Sequence, residues 1–436
     1  MIKYLKNLEK GEANRLKQNI LEWCNAQDEY CTLFENITIQ SRDENQFIWK
    51  LGVICQSEYL YDSLDFPLTK FEEYIQTKEN EKFCFISYDL KNNFENLTSR
   101  NEDKVDFPLI LAWEPQLIFI YNTQGSLEIH YTNEKSQQQV VAILNWNRRT
   151  NKLAEDAEIK TKTSKLEYQQ AFDKITNYIK KGDLFELNFC KEFYVNDINV
   201  ESIALYEIMK GRTQANFCVY AQLKNHIVIC ISPERFITKK GNTILSQPIK
   251  GTKKSSSNQK EKQEFIQQLR DSPKDRAENT MAVDVVRNDF SKICVPGTVH
   301  VPNFCDVVDY GNVIQMFSTI VGELKPNISF IEILRAVFPM ASMTGAPKIR
   351  AMEIIEELES SKRGLYSGTI GYILPNGDFD FNVVIRSIIY NRKNRYLSFH
   401  TGGAITIQSQ MEEEYKETEL KASSLILSIQ DLLTGK

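Results

Sequence analysis

The sequence predicts a large α+β protein built on antiparallel sheets. Strand-like and helical patterns do not alternate regularly along its 436 residues, which disfavours a doubly wound parallel sheet. Short apolar runs such as Phe83-Cys84-Phe85-Ile86-Ser87-Tyr88 and Leu117-Ile118-Phe119-Ile120-Tyr121 sit between polar turns. Helix signals gather in a few separate blocks.

In chain order, residues 1–146 form a first region that carries these strand-like runs. Residues 147–164 are rich in Lys, Glu, Thr and Asn and read as a linker or long surface loop. Residues 165–433 follow as the main domain. Tyr168, Phe172, Ile175 and Ile179 fall at steps of three and four, which makes one apolar helix face. Gly182 stops that helix, and a strand runs from Leu184 to Phe189. Strands then dominate to about Ile249. Pro273 and Pro347 each stand where a first helical residue belongs, and Ser272 is a candidate N-cap. Gly364 is expected to end the second of these helices. Strands return from Tyr366 to Ile407, and a last helix is expected from about Glu412 to Leu433.

Hydrophobic residues make up 42% of the chain and charged residues 25%, as in a soluble globular protein. The net charge of −5 argues against nucleic acid as partner. No run of about 18 apolar residues exists, so no membrane span is expected. Met1-Ile2-Lys3-Tyr4-Leu5-Lys6 lacks the apolar core of a signal peptide. Nine cysteines without a C-x-x-C pair read as buried reduced thiols of a cytoplasmic protein. None of the four histidines has metal-ligand spacing with another, which disfavours a His-based zinc site and a Ser-His-Asp triad.

Several charged residues ask for a chemical explanation. Glu278 shares a helix face with Met281, Ala282 and Val285. A carboxylate there needs a structural ion pair, or a metal or catalytic role. Glu414, Glu417 and Lys421 share a face of the last helix, where a Glu417–Lys421 surface pair is the simplest reading. Were Glu278 and Glu417 to meet, a cation such as Mg²⁺ between them would relieve their repulsion. Lys250 lies in Pro248-Ile249-Lys250-Gly251-Thr252, between a strand and a glycine turn. It is either a solvated lysine or one whose burial lowers its pKa and makes the amine nucleophilic. Glu234 begins a strand in Ser232-Pro233-Glu234-Arg235-Phe236 and by itself reads as an exposed turn. Gly402, Gly403 and Ala404 follow a strand, where their N–H groups can approach an anion. Arg386, in the expected strand Val383-Val384-Ile385-Arg386, needs a carboxylate or phosphate partner. An ordinary turn and a structural ion pair remain the alternative for these last two features.

Taken in order, the motifs are more specific than any one residue. Ser-Pro-Glu-Arg-Phe at 232–236 is followed by Pro-Ile-Lys-Gly-Thr at 248–252 and Asp-Arg-Ala-Glu at 275–278. Val-Asp-Val-Val-Arg-Asn-Asp at 283–289 and Thr-Gly-Ala-Pro-Lys-Ile-Arg-Ala-Met at 344–352 come next. Arg-Gly-Leu-Tyr-Ser-Gly at 363–368, Thr-Gly-Gly-Ala-Ile-Thr at 401–406 and Glu-Tyr-Lys-Glu-Thr-Glu-Leu-Lys-Ala at 414–422 complete the series. Over about residues 165–433 this resembles the chorismate-binding domain shared by anthranilate, aminodeoxychorismate, isochorismate and salicylate synthases. The first 150 residues resemble that family only loosely, chiefly in Ser87-Tyr88-Asp89-Leu90.

The resemblance implies two packed antiparallel sheets with helices outside and chorismate in a cleft. It implies Mg²⁺ on Glu278 and Glu417, with Glu414 on the same helix face. Glu234 matches the acid beside the departing C4 hydroxyl. Arg386, Tyr366 and the Gly402–Ala404 backbone match groups that hold the substrate carboxylates, with Gly251, Thr252 and Ser342 in the same pocket. Lys250 occupies a slot that is usually Ala in anthranilate synthases and Lys in aminodeoxychorismate synthases, which implies amine attack on chorismate C2. Its pKa is therefore expected to fall.

Three departures bear on the product. Glu186 stands where isochorismate synthases carry a lysine base, which argues against water as nucleophile. Gln315 replaces a histidine associated with pyruvate loss. Ser342, after Ala341, replaces a threonine and keeps its hydroxyl. The resemblance thus implies an Mg²⁺-dependent transferase making 4-amino-4-deoxychorismate for para-aminobenzoate and folate synthesis. Ammonia would come from a glutamine amidotransferase subunit. Anthranilate formation and a non-catalytic chorismate-binding subunit are the alternatives.

Overall fold

The computed structural model describes residues 2–36, 47–62, 68–77, 79–131, 134–146, 157–213, 215–310 and 313–435. Helices and a large antiparallel sheet make up the chain, as expected. Twenty strands among the described residues share one hydrogen-bonded ladder in which every pairing is antiparallel.

Two long strands, Phe47–Tyr61 and Ile110–Asn122, pair along most of their length and belong to both arms of the ladder. The later half of Ile110–Asn122 pairs with Ser126–Tyr131, and its earlier half with Lys82–Ile86. One arm continues from Phe47–Tyr61 through Cys31–Glu35, Phe217–Leu223, His226–Ser232, Ser387–Asn391 and Tyr396–Thr406 to Glu186–Val195. The other runs from Lys82–Ile86 through Thr369–Ile373, Phe379–Val383, Arg235–Lys240 and Thr243–Gln247 to Val313–Glu323. Ile249–Lys254 and His300–Asp309 both pair with that last strand. Residues of both arms, including Val219, Val228, Phe236 and Phe381, share one apolar core.

Local signals place several elements where the sequence puts them. Ser164 and Glu167 close a capping box on the helix Lys165–Lys180, which buries Tyr168, Phe172, Ile175 and Ile179. Gly182 follows with φ +82°. Ser272 Oγ accepts from the Asp275 N–H and starts Pro273–Ile293. The last helix, Met411–Thr434, packs on Tyr396–Thr406 and on a helix at Ser202–Arg212.

Other expectations change. The helix Ser202–Arg212 interrupts the stretch read as strands. Its buried residues Leu205, Tyr206 and Met209 share one face, but Ala204 and Ile208 put apolar residues on the other side as well, so the sequence shows no distinct apolar stripe. Pro347 is the N-cap of Lys348–Leu358 rather than its first residue, and that helix ends before Gly364. Residues 147–156 of the expected linker lie outside the described residues; Lys160–Thr161 pairs with Glu186–Val195. All nine cysteines are unpaired and eight are buried. Among the described residues no helix is long and apolar enough to cross a membrane.

Candidate active site

A cavity of about 580 Å³ opens between the arm carrying Tyr396–Thr406 and the helices Pro273–Ile293 and Met411–Thr434. All thirteen candidate residues line it: Glu234, Lys250, Gly251, Thr252, Glu278, Ser342, Tyr366, Arg386, Gly402, Gly403, Ala404, Glu414 and Glu417.

Glu234 is buried just before the strand Arg235–Lys240, not exposed in a turn. Its N–H donates to Ser232 Oγ at 3.2 Å. Burial pushes its carboxyl up to about 7, against the pull of the nearby Ser342 hydroxyl and Lys250. The loop holding Ser342 is itself clamped. Arg363 donates to Met343 O at 2.6 Å and to Asn188 O at 2.8 Å while paired with Glu359.

Lys250 sits in a β-bulge of the strand Ile249–Lys254, because the register with Val313–Glu323 shifts between Ile249 and Thr252. Gly251 takes φ +79° there, and a Cβ would stand 2.8 Å from Asp275 Oδ1. The Lys250 ammonium donates to Glu186 Oε1 at 3.0 Å and lies 3.8 Å from Glu278 Oε2. The expectation of a lowered pKa is overturned. Burial does pull it down, but Glu186, Glu278 and Glu234 together outweigh burial and raise it. Gln315 Nε2 reaches Thr252 Oγ1 at 3.4 Å beside it.

Arg386 is not in a strand. Phe379–Val383 ends three residues earlier, and Arg386 takes φ 50° in the corner before Ser387–Asn391. Among the described residues its guanidinium has no hydrogen bond or ion pair to protein, so burial alone acts on it and lowers its pKa. A desolvated arginine of this kind is a site for an anion. Gly402–Ala404 lie inside the strand Tyr396–Thr406, not after it. A Cβ at Gly402 would stand 2.2 Å from Phe189 O, so glycine there allows close strand approach. Lys421 Nζ takes the Gly402 carbonyl at 2.9 Å. In an antiparallel strand the N–H of a residue points to the same side as its C=O, so the Gly402 N–H faces that side too. Tyr366 stacks on His400 with centroids 5.1 Å apart. Burial, then Arg363, lowers the His400 pKa to about 3, which leaves a neutral ring.

The glutamates bear on whether a cation would fit. Glu278 Oε1 and Glu414 Oε2 are buried carboxylate oxygens without a hydrogen-bond partner. A Cβ on Gly403 would lie 3.4 Å from Glu414 Oε2 and 4.0 Å from Glu417 Oε1. Burial pushes Glu278 up to about 7 despite Lys250. Burial pulls Glu417 up, but Lys421 at 2.8 Å, with Lys274 and Lys250, outweighs it and lowers the carboxyl. Among the described residues no three His, Cys, Asp or Glu side chains can hold a metal by themselves. Two carboxylates with substrate and water oxygens suit Mg²⁺. Lys274, which the sequence reading lacks, donates to Glu414 Oε1 at 3.0 Å; its place one turn before Glu278 is the signal that could have found it.

Residues 21–427 match the family described as chorismate binding enzyme. The chain belongs to that family. This chorismate-binding enzyme is 30% identical over 398 residues to anthranilate synthase component 1 of Lactococcus lactis, covering 88% of this chain and 84% of that one. It is 30% identical over 390 residues to aminodeoxychorismate synthase component 1 of Bacillus subtilis, covering 82% and 81%. Chloroplastic aminodeoxychorismate synthase of Arabidopsis thaliana is 37% identical over 328 residues, 72% of this chain but 35% of that protein. The chain thus spans about a third of that plant relative. Anthranilate synthase component I from Streptococcus pneumoniae has the same fold, with a TM-score of 0.79 at 23% identity over 89% of this chain and 94% of that one.

Proposed function

We propose that this chain is the aminase component of an aminodeoxychorismate synthase. It would convert chorismate and ammonia to 4-amino-4-deoxychorismate on the route to para-aminobenzoate and folate. The observation that carries the reading is Lys250, an amine with an 11% exposed side chain in the cleft that also holds Glu234, whose burial raises its carboxyl to about 7. Several relatives at 29–37% identity are named aminodeoxychorismate synthase, which supports it.

Arg386 and the glycine-edge N–H groups would bind the substrate carboxylates. Lys250 would first pass a proton to Glu186, whose Oε1 already accepts from it at 3.0 Å; the neutral amine would then attack C2 as the C4–O bond breaks, with Glu234 giving its proton to the departing hydroxyl. Water leaves. Ammonia would then attack C4 and expel the lysine from C2, which regenerates the amine. Glu278 and Glu417 would hold Mg²⁺ together with substrate and water oxygens, with Glu414 beside them on the last helix. A bound Mg²⁺ would anchor a carboxylate and offset the glutamates that keep Lys250 charged. The ammonia donor would be a glutamine amidotransferase subunit, and the setting the cytoplasm.

Anthranilate synthesis is the second reading, favoured by equal identity to the Lactococcus relative. Direct attack of ammonia at C2 would lead there. Incubating the chain with chorismate, Mg²⁺ and ammonium salt, with products identified by mass, separates the two. The 4-amino product is expected; anthranilate would reverse the assignment, and no turnover would remove it.

A further inference from the structure

Lys250 has two carboxylates within 4 Å, one on the strand Glu186–Val195 and one on the helix Pro273–Ile293. Glu186 is buried on the strand Glu186–Val195 and accepts from Lys250 Nζ at 3.0 Å. Its backbone is fixed on both edges, opposite Thr406 on one strand and Ala346 on the other. Glu278 lies on the helix Pro273–Ile293, with Oε2 3.8 Å from the same nitrogen and Oε1 buried without a partner. Lys250 itself stands in a bulge, where the ladder does not pin the register. A lysine is a point charge on a flexible stem. Its direction here is therefore set by the carboxylate it pairs with.

A lysine paired fully with Glu278 would occupy the oxygens that a cation needs. We propose that Glu186 is a positioning residue: it anchors Lys250 against the strand and so leaves Glu278 open to a divalent cation. This rests on the reading of Lys250 and Glu278 above and goes beyond it by giving Glu186 a task. The pair divides the cleft into an amine side and a cation side, although both are lined by carboxylates.

The test measures binding of Mn²⁺ alone to the full chain, by electron paramagnetic resonance of the free ion. Wild type, Glu186→Gln, Lys250→Met and the double variant are compared. Glu186→Gln is expected to weaken Mn²⁺ binding about tenfold, whereas in the Lys250→Met background the same change should cost no more than about twofold. An equal loss in both backgrounds would show that the charge of Glu186 acts on the cation directly and would overturn the proposal. No loss in either would overturn it too. A wild-type chain that binds no Mn²⁺ would remove the metal reading and the proposal with it. A crystal structure of Glu186→Gln tests the anchoring separately. Lys250 Nζ should then lie on Glu278; Nζ still on the side chain at position 186 contradicts the proposal whatever the metal does. If Glu186→Gln does not fold, Glu186→Asp keeps the charge and shortens its reach, and should weaken Mn²⁺ binding in the same direction.

Discussion

At Glu234, burial and acid catalysis ask for the same protonation state. A carboxyl held up to about 7 is protonated in a large fraction of molecules near neutrality. Its acid function is present below that pH and is lost as pH rises through it. With ammonium as donor, free NH₃ rises with pH. The rate divided by NH₃ concentration is therefore expected to fall above about pH 7. Glu234→Gln should flatten that fall and cost about 10²- to 10³-fold in kcat; an unchanged limb would exclude Glu234 as the acid. The same shift has a stability consequence. The folded pKa lies above the unfolded one, so the stability that protonated Glu234 contributes below about pH 4.5 is lost as pH rises through about 7. Arg386 gives a prediction of opposite character. It is desolvated and has no protein partner among the described residues, so Arg386→Ala should leave the melting temperature unchanged or higher. The same variant should raise KM for chorismate roughly tenfold or more, the worth of a charge-assisted hydrogen bond. A drop in stability with KM unchanged would make Arg386 structural.

At the scale of the element, two adjacent glycines are expected to fail differently. Alanine at Gly402 would drive its Cβ to 2.2 Å from Phe189 O and 2.6 Å from Cys190 Sγ, which no small shift relieves. Gly402→Ala should therefore lower the melting temperature strongly or prevent folding. At Gly403 the added Cβ meets only Glu414 Oε2 at 3.4 Å and the ends of Lys421 and Glu417. Gly403→Ala should fold and lose Mg²⁺-dependent turnover, because the new methyl crowds the carboxylates. Equal effects of the two on folding, by thermal melts, would refute this division. Elements of this kind were legible to different degrees. The Ser272-Pro273 start and the Tyr168 to Ile179 stripe carry their own local signals. The corner at Arg386 does not, because its φ of 50° is imposed by strands pairing far along the chain. The Glu186–Lys250 pair joins residues 64 apart, and no local pattern announces it. Both residues therefore stand out in the sequence, but the pairing that raises the lysine's pKa does not.

At the scale of the molecule, the ladder ties the first region to the second. Cys31–Glu35 pairs with Phe217–Leu223, and Lys82–Ile86 with Thr369–Ile373. The motifs all lie within about residues 165–433 and so suggest a unit there, whereas strand partners far apart in the chain carry no local pattern. A chain beginning at residue 165 would expose both strand edges and is expected to aggregate; a soluble, cooperatively melting product would contradict that. The full chain alone should use ammonium and not glutamine, since the proposed donor is a separate amidotransferase. The central claim is that chorismate passes through a covalent bond to Lys250. Its most direct test is mass spectrometry of enzyme quenched during turnover with chorismate and Mg²⁺, read on the peptide containing Pro248 to Thr252. The expected result is a chorismate-derived adduct on Lys250, absent in Lys250→Ala together with the 4-amino product. A Lys250→Ala variant that keeps the wild-type rate and product, with no adduct on the wild-type peptide, would contradict the account.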